Sequence, residues 1–295
     1  MIKRLVIKYI KKKFEQGDPT IQERTDINVI RNLHYIEDKN RYHTMEILYP
    51  KQNVGQLPVL FNIHGGGWIA GDKEVNHKYA SYLASKGYCV INISYRLIPN
   101  TNLKGQIQDI FKAIEYTRNL DLDIPWDKEK WFFIGDSAGG HLSAFVYCLL
   151  HDQELQDLYE ISLEPFPVKG LILENMISDL SIMEDSHQYL FKSLANLLIG
   201  KKSNLYHKAS FLEVIHDKIP PVPVFLVGSE IDDLCPQTIK MEKYLKEHDW
   251  YCDSIIWKKE DGEKLVHVFQ VCHPYWEESE ITHQRIIEFI QEVCL

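Results

Sequence analysis

A serine stands in a tight, glycine-flanked turn near the middle of the chain. The turn reads GDSAG at 135–139, between the apolar run 131–134 and a helical pattern over 139–150. A strand, a sharp turn and a helix in this order leave a serine hydroxyl exposed at the helix N-terminus, where the helix dipole favours negative charge. We therefore predict Ser137 to be a nucleophile. The alternative is a tight turn with an incidental serine.

A run of three glycines lies upstream and directly follows the apolar segment 59–63. It reads HGGGW at 64–68. Glycines let the backbone approach a ligand closely, with amides that no side chain obstructs. We predict that amides among Gly65, Gly66 and Gly67, together with the amide of Ala138, bind the oxyanion of a tetrahedral intermediate. A phosphate-binding loop is the competing interpretation, but Lys and Ser/Thr do not follow at the Walker spacing.

A serine hydroxyl is a weak nucleophile until a base removes its proton, and an acid must orient that base. After a strand–turn–helix of this kind, the chain order is serine, acid, histidine. Three carboxylates follow the apolar run 222–227, namely Glu230, Asp232 and Asp233. We favour Asp232 as the acid, and Asp233 is the next candidate.

Two histidines follow the last predicted strand, Asp253–Trp257. His267 lies on a loop before the final helical pattern, whereas His273 lies closer to that helix and precedes a proline. We assign His267 as the base. The remaining histidines do not have a position in the expected chain order.

Strand-like and helical segments alternate along most of the chain, which indicates a doubly wound α/β sheet. The predicted strands are Asp26–Ile36, Thr44–Tyr49, Val59–Ile63, Cys89–Ser94, Trp131–Gly135, Val168–Leu173, Val222–Val227 and Asp253–Trp257. The predicted helices are Lys78–Lys86, Gly105–Asn119, Gly139–Leu150, Pro236–His248 and Glu280–Val293. A short link joins the first two strands, so we expect them to pair antiparallel at one edge.

Two segments stand apart from this alternation within a single domain over 1–295. Residues 176–220 are longer than a crossover helix needs and rich in apolar side chains, so we predict a small helical cap over the sheet edge that binds ligands. The alternative is a decorated crossover without substrate contact. Residues 1–16 are predicted to form a basic amphipathic helix. This helix packs on the domain or, alternatively, binds a membrane surface or acts as a lid.

Composition excludes several classes of protein. The chain has 295 residues and a formal net charge of −9, which argues against nucleic acid as a partner. No apolar stretch approaches the roughly 18–20 residues of a membrane span, so we expect no stable membrane insertion. The N-terminal apolar run is too short for a signal peptide. Six scattered cysteines fit a reducing compartment, and we predict a cytoplasmic protein.

Together these motifs resemble the hormone-sensitive-lipase-like branch of the α/β-hydrolase superfamily, which includes bacterial carboxylesterases. The matching segments are HGGGW at 64–68, SYRL at 94–97, GDSAGG at 135–140, the acidic pair at 232–233 and HVF at 267–269. The resemblance covers residues 25–295. It implies a mostly parallel eight-stranded sheet with helices on both faces, a small helical cap, and ester hydrolysis through an acyl-enzyme without cofactor or metal.

Carried over by position, the resemblance makes Ser137 the nucleophile, Asp232 the acid and His267 the base. It implies a small-molecule ester substrate, and the short cap favours short acyl chains. We expect Trp68 to line the substrate pocket, and Arg96 to pair with Asp109 in a structural role. An arylformamidase, amidase or peptidase with the same three residues remains an alternative, as does a non-catalytic ligand-binding receptor. A homodimer is left open.

Overall fold

The computed structural model describes residues 23–52, 55–181, 189–200, 203–205 and 207–295. The predicted N-terminal helix over 1–16 lies outside the described residues.

The described strands form one eight-stranded sheet. Their bounds are β1 (Ile27–His34), β2 (Thr44–Pro50), β3 (Leu57–Ile63), β4 (Cys89–Ile93), β5 (Trp126–Asp136), β6 (Val168–Glu174), β7 (Val224–Ser229) and β8 (Cys252–Trp257). The order across the sheet is β1-β2-β4-β3-β5-β6-β7-β8. Strand β2 is antiparallel to both of its neighbours, and the other pairs are parallel. The predicted antiparallel pair at one edge is confirmed.

Helices cover both faces of the sheet, as the resemblance implies. Their bounds are α1 (Lys73–Ser85), α2 (Leu103–Asn119), α3 (Ala138–Leu150), α4 (Gln153–Tyr159), α5 (Tyr189–Leu198), α6 (Phe211–Val214), α7 (Cys235–Glu247), α8 (Phe269–Cys272) and α9 (Glu277–Cys294). Side chains of α1, α8 and α9 share one apolar core, and those of α2, α3 and α7 share the other. Among the described helices, none is both long enough and apolar enough to cross a membrane.

The central strands are apolar on both sides because each of their faces is covered by helices. In β5, Trp131 and Phe133 pack into one core, while Phe132 and Ile134 pack into the other. Burying each such side chain stabilises the fold by about 2 kcal/mol. Strands β5, β6, β7 and β8 are parallel, so their carboxyl ends lie along one edge of the sheet. Loops that follow these strands therefore meet there.

The connection between β6 and β7 contains α5 and α6 and is tied together by hydrogen bonds between residues 178–180 and residues 210–212. The Leu180 N–H donates to Ser210 Oγ at 3.2 Å. The Leu212 N–H donates to the Ser178 carbonyl at 3.1 Å. The predicted cap over 176–220 falls within this connection. Residues 182–188, 201–202 and 206 lie outside the described part, so the cap remains a prediction.

Candidate active site

Ser137 occupies the turn between β5 and α3 in a strained backbone conformation. Its φ of 52° and ψ of −117° are unfavourable for any residue with a side chain. The Ser137 N–H donates to the Glu174 carbonyl at 2.7 Å, and its own carbonyl accepts from the His141 N–H at 3.1 Å. A Cβ atom at Gly139 would overlap the Ile63 carbonyl, so only glycine fits on that flank of the turn. These contacts hold the serine in the predicted strand–turn–helix geometry.

Three of the predicted site residues form one hydrogen-bonded chain. His267 Nε2 lies 2.9 Å from Ser137 Oγ, and His267 Nδ1 lies 2.8 Å from Asp232 Oδ2. A carboxylate accepts only, so Nδ1 carries the ring proton and Nε2 is free to accept the serine proton. The carboxylate is 3% exposed and the imidazole 26% exposed. The acid is therefore enclosed, while the histidine faces the open side of the site.

The structure separates Asp232 from the two carboxylates that competed with it. Asp232 Oδ2 also accepts from Asn175 Nδ2 at 2.7 Å, and Oδ1 accepts from the Leu234 N–H at 3.0 Å. Burial acts to raise the pKa of Asp232, but the bonds from His267, Leu234 and Asn175 outweigh it and lower that pKa. Asp233 is exposed. Glu230 forms a surface ion pair with Lys258 at 2.8 Å.

The other candidate histidine is placed elsewhere. The His273 ring stacks on Trp276 with 4.0 Å between ring centroids. It follows α8, whereas His267 precedes that helix. Of the two predicted histidines, the structure therefore brings His267 to the serine.

The glycine-rich loop after β3 is fastened through Asp136 to the turn that carries Ser137. Asp136 Oδ1 accepts from the Gly65 N–H at 3.0 Å and from Asn76 Nδ2 at 2.7 Å. Burial raises the pKa of Asp136 and lowers that of the neighbouring His64. The prediction that Gly65 offers a free amide to an oxyanion is wrong, because Asp136 already occupies that N–H. Gly65 instead joins the loop to the turn.

The other predicted oxyanion amides are placed differently. Within the described residues, no acceptor pairs with the backbone N–H of Gly66, Gly67 or Ala138. Gly66 has a φ of +113°, and a Cβ there would overlap the Ala70 carbonyl. A glycine is therefore required for the loop to turn at this position. Three unpaired donors therefore remain, two on the loop and one at the start of α3.

Trp68 does not have the position predicted for it. Its side chain is 1% exposed and packs in the core. The indole Nε1 donates to His141 Nδ1 at 3.2 Å, and His141 Nε2 donates to the Ala209 carbonyl at 2.7 Å. Burial lowers the pKa of His141 to about 4, so the ring stays neutral and can accept from the indole. Trp68 therefore anchors the glycine loop to His141 on α3 instead of lining an open pocket.

Three buried polar residues behind the acid were not predicted. Glu174 ends β6, and its carboxyl group accepts from Tyr79 Oη at 2.8 Å and from Gln270 Nε2 at 2.9 Å. Gln270 Nε2 also donates to Asn175 Oδ1 at 3.1 Å. Burial raises the pKa of Glu174 to about 8. Two features of the sequence could have indicated these residues. Glu174 and Asn175 are polar and stand where an apolar strand ends at the ligand-binding edge of the sheet, and Gln270 follows His267 by three residues.

With this geometry established, comparison with known proteins gives the family. The model of the BD-FAE family matches residues 45–245, which is more than half of the chain. The chain belongs to the BD-FAE family.

Two curated relatives of this BD-FAE member are esterases by name. This chain is 26% identical over 186 residues to the probable carboxylic ester hydrolase LipM of Mycobacterium tuberculosis, and the match covers 62% of this chain and 43% of that protein. It is 26% identical over 220 residues to the versiconal hemiacetal acetate esterase of Dothistroma septosporum, covering 67% and 65%. The chain thus spans between 43% and 65% of the length of these two relatives.

A solved structure resembles the BD-FAE chain over nearly its whole length. Esterase B of Lactobacillus rhamnosis, in a form inhibited by a tributyrin phosphonate, superposes with a TM-score of 0.91. The two are 26% identical, and the match covers 98% of this chain and 96% of that one. The predicted α/β-hydrolase fold is confirmed.

The predicted ion pair between Arg96 and Asp109 is present in this BD-FAE member. Arg96 Nη2 lies 2.6 Å from Asp109 Oδ1, and Arg96 Nε lies 2.9 Å from Oδ2. The hydrogen bonds that Arg96 donates to the Asp109 carboxylate raise the pKa of Arg96. Asp109 is buried on α2, while Arg96 is partly exposed after β4. The pair ties this loop to the helix and does not contact the serine.

Proposed function

We propose that the protein is a serine esterase that hydrolyses carboxylic esters through an acyl-enzyme intermediate. The observation that carries this proposal is the hydrogen-bonded chain from Ser137 through His267 to the enclosed carboxylate of Asp232. A serine, a base and an orienting acid within hydrogen-bond distance are what nucleophilic acyl transfer requires.

In the proposed reaction, Ser137 Oγ attacks the ester carbonyl carbon while His267 Nε2 takes the hydroxyl proton. The tetrahedral oxyanion accepts hydrogen bonds from the amides of Gly66, Gly67 and Ala138. His267 then gives its proton to the leaving alcohol, which leaves an acyl group on Ser137. The base next takes a proton from water, which attacks the acyl carbon, and His267 returns that proton to Ser137 Oγ as the carboxylic acid product leaves. Asp232 stays ionised throughout and stabilises the imidazolium ion.

The relatives and the predicted cap support a proposal for the substrate class. Both curated relatives described above carry the name of an ester hydrolase or esterase. The inhibitor of esterase B is a phosphonate analogue of tributyrin, a short-chain ester. We propose that this chain also acts on small-molecule esters with short acyl groups. The cap over 176–220 would form one wall of the acyl or alcohol pocket.

The six cysteines support the proposal of a cytoplasmic protein. All of them are free thiols, and Cys89 and Cys148 are buried. Burial raises the pKa of both thiols, so they remain protonated and packed in the core. Thiols without disulfide partners are typical of a reducing compartment.

Replacing the nucleophile tests the proposed activity. Ser137→Ala is expected to lower kcat for p-nitrophenyl acetate on the order of 10⁶-fold, because the acyl-enzyme cannot form. The matched control is Ser143→Ala on α3, the helix that follows Ser137. The buried hydroxyl of Ser143 has no partner among the described residues. That variant should keep its activity. Unchanged turnover in Ser137→Ala would refute the proposal.

Two further measurements separate the proposal from its rivals. A fluorophosphonate should label the wild-type protein on Ser137, whereas a non-catalytic receptor would not react. Rates on p-nitrophenyl acetate and on the matching acetanilide and formanilide distinguish an esterase from an amidase or an arylformamidase. The esterase proposal predicts faster turnover of the ester, and preferred cleavage of either anilide would contradict it.

A further inference from the structure

The acid of the proposed active site is held by a second chain of buried polar side chains. Asn175 Nδ2 donates at 2.7 Å to Asp232 Oδ2, the same oxygen that accepts from His267. Asn175 Oδ1 accepts in turn from Gln270 Nε2, which also donates to the carboxyl group of Glu174. Asn175, Gln270 and Glu174 are all fully buried. The orientation of the Asp232 carboxylate is therefore set by Asn175 as well as by His267.

The backbone at Asn175 shows that its side chain has a specific role. Asn175 has a φ of 48°, in the left-handed region where glycine is favoured. Its N–H donates to the Val227 carbonyl at 2.8 Å, which holds it against β7, the strand that leads to Asp232. Asparagine is one of the few side chains that tolerate this conformation. A glycine would satisfy the backbone equally well, but it could not bond to Asp232.

The same chain of hydrogen bonds reaches each loop that carries a proposed catalytic residue. The Glu174 carbonyl accepts from the N–H of Ser137. Asn175 contacts the acid, and Gln270 lies on α8, which begins two residues after His267. Displacing one member therefore affects the relative placement of the serine, the acid and the base.

We propose that Asn175, held in place by Gln270 and Glu174, is a positioning residue that fixes the Asp232 carboxylate against His267. This inference rests on the proposed function, since it concerns the acid of that site. Asn175 does not touch substrate. It acts by donating to the ionised carboxylate and by restricting its rotation.

The test uses Asn175→Gly, which keeps the backbone conformation and removes only the side-chain bonds. We expect kcat for p-nitrophenyl acetate to fall about tenfold with KM unchanged, because one hydrogen bond to a charged group is lost. The acidic limb of the kcat/KM profile, which reports the coupled Asp232–His267 pair, should move to higher pH because the carboxylate loses a donor. A purely structural role would alter stability and leave both quantities unchanged.

Asn32→Gly is the matched control. Asn32 is exposed on β1 and also has a left-handed φ, of 56°. The substitution and the backbone conformation are the same as at Asn175, but the site is remote from Ser137. Its kinetics should equal those of the wild type. A tenfold loss in both variants, or in neither, overturns the proposal.

A double-variant cycle tests whether Gln270 acts through Asn175. Gln270→Met keeps the side-chain length but removes the donor, and it should lower kcat less than Asn175→Gly does. Adding Gln270→Met to Asn175→Gly should cause no further loss, because the partner is already absent. Independent, multiplying losses would show that the two residues do not form one chain and would overturn the proposal.

A readout without turnover separates this inference from the proposed function. The proton between His267 Nδ1 and Asp232 should give a downfield ¹H NMR signal that is absent in His267→Gln. In Asn175→Gly this signal should shift and exchange faster with water, whether or not esters are cleaved. An unchanged signal overturns the inference alone. If the wild type does not hydrolyse esters, only the proposed function is overturned.

Discussion

Glu174 makes the stability of the protein depend on pH in a way that can be measured. Burial raises the pKa of its carboxyl group to about 8, from an ordinary value of 4.5. Below pH 4.5 the group is protonated in both the folded and the unfolded protein. Between pH 4.5 and 8 the folded protein holds a proton that the unfolded chain has released. The free energy of unfolding therefore falls as the pH rises through this interval.

The magnitude follows from the width of the interval. About 3.5 pH units at about 1.4 kcal/mol per unit give a loss on the order of 5 kcal/mol between pH 4.5 and 8. Glu174→Gln does not titrate, so its stability does not include this contribution. Titrating groups remote from Glu174 act on both proteins and cancel in the difference.

Urea unfolding of the wild type and of Glu174→Gln at several pH values between 5 and 8 measures this difference. The wild type should lose stability relative to the variant as the pH rises. Glu129→Gln is the control, because Glu129 is exposed on β5 and its replacement should leave the difference from the wild type constant. If the difference between the wild type and Glu174→Gln is also constant with pH, the proton attributed to Glu174 is refuted.

Two further predictions concern the acid and the Arg96 pair. Asp232→Asn should lower kcat about 10⁴-fold, because it disturbs the tautomer of His267. The same change at the exposed Asp233 should leave kcat nearly unchanged. If the two variants have equal kcat values in steady-state assays, Asp232 is not the acid. Arg96→Met should lower the free energy of unfolding by about 3 kcal/mol, because it leaves Asp109 buried without its bidentate partner. Lys112→Met, on the exposed side of α2, is the control in urea unfolding and should change the free energy of unfolding by less than about 0.5 kcal/mol. If Arg96→Met also lowers the free energy of unfolding by less than about 0.5 kcal/mol, the structural role of the Arg96–Asp109 pair is contradicted.

The strands could be predicted from the sequence because buried parallel strands are continuous apolar runs. The runs 59–63 and 131–135 lie within β3 and β5, although both strands begin earlier than predicted. Helix starts were harder to predict. Helix α1 begins at Lys73, five residues before the predicted start, because Asp72 caps it by accepting from the Glu74 N–H at 3.1 Å. The apolar period alone does not reveal a cap.

The site residues also divide into those that the sequence could predict and those that it could not. Chain order and motif were enough to choose Ser137 and His267, which the structure brings within 2.9 Å of each other. The choice between Asp232 and Asp233 depends on the turn in which the Asp232 N–H donates to the Ser229 carbonyl at 2.9 Å. Neighbouring residues in such a turn point in different directions, and the sequence does not give those directions.

The roles of Gly65 and Trp68 were predicted wrongly for a related reason. Gly66, Gly67 and Trp68 have φ values of 113°, 59° and 62°. Three successive left-handed residues reverse the course of the chain, and the Trp68 side chain lies in the core. Backbone dihedral angles of this kind are set by the docking of the loop on Asp136 and His141, which are distant in sequence. Local pattern therefore could not reveal them.

The tied ends of the connection between β6 and β7 have a consequence for how this protein could change its substrates. Ser178 and Leu180 bond directly to Leu212 and Ser210, so the segment between Leu180 and Ser210 begins and ends at nearly one point. The entropic cost of a longer loop between such fixed ends grows only slowly with its length. Insertions between Leu180 and Ala209 can therefore lengthen this connection at small entropic cost, in evolution or in design, while the loops that carry Ser137, Asp232 and His267 keep their places.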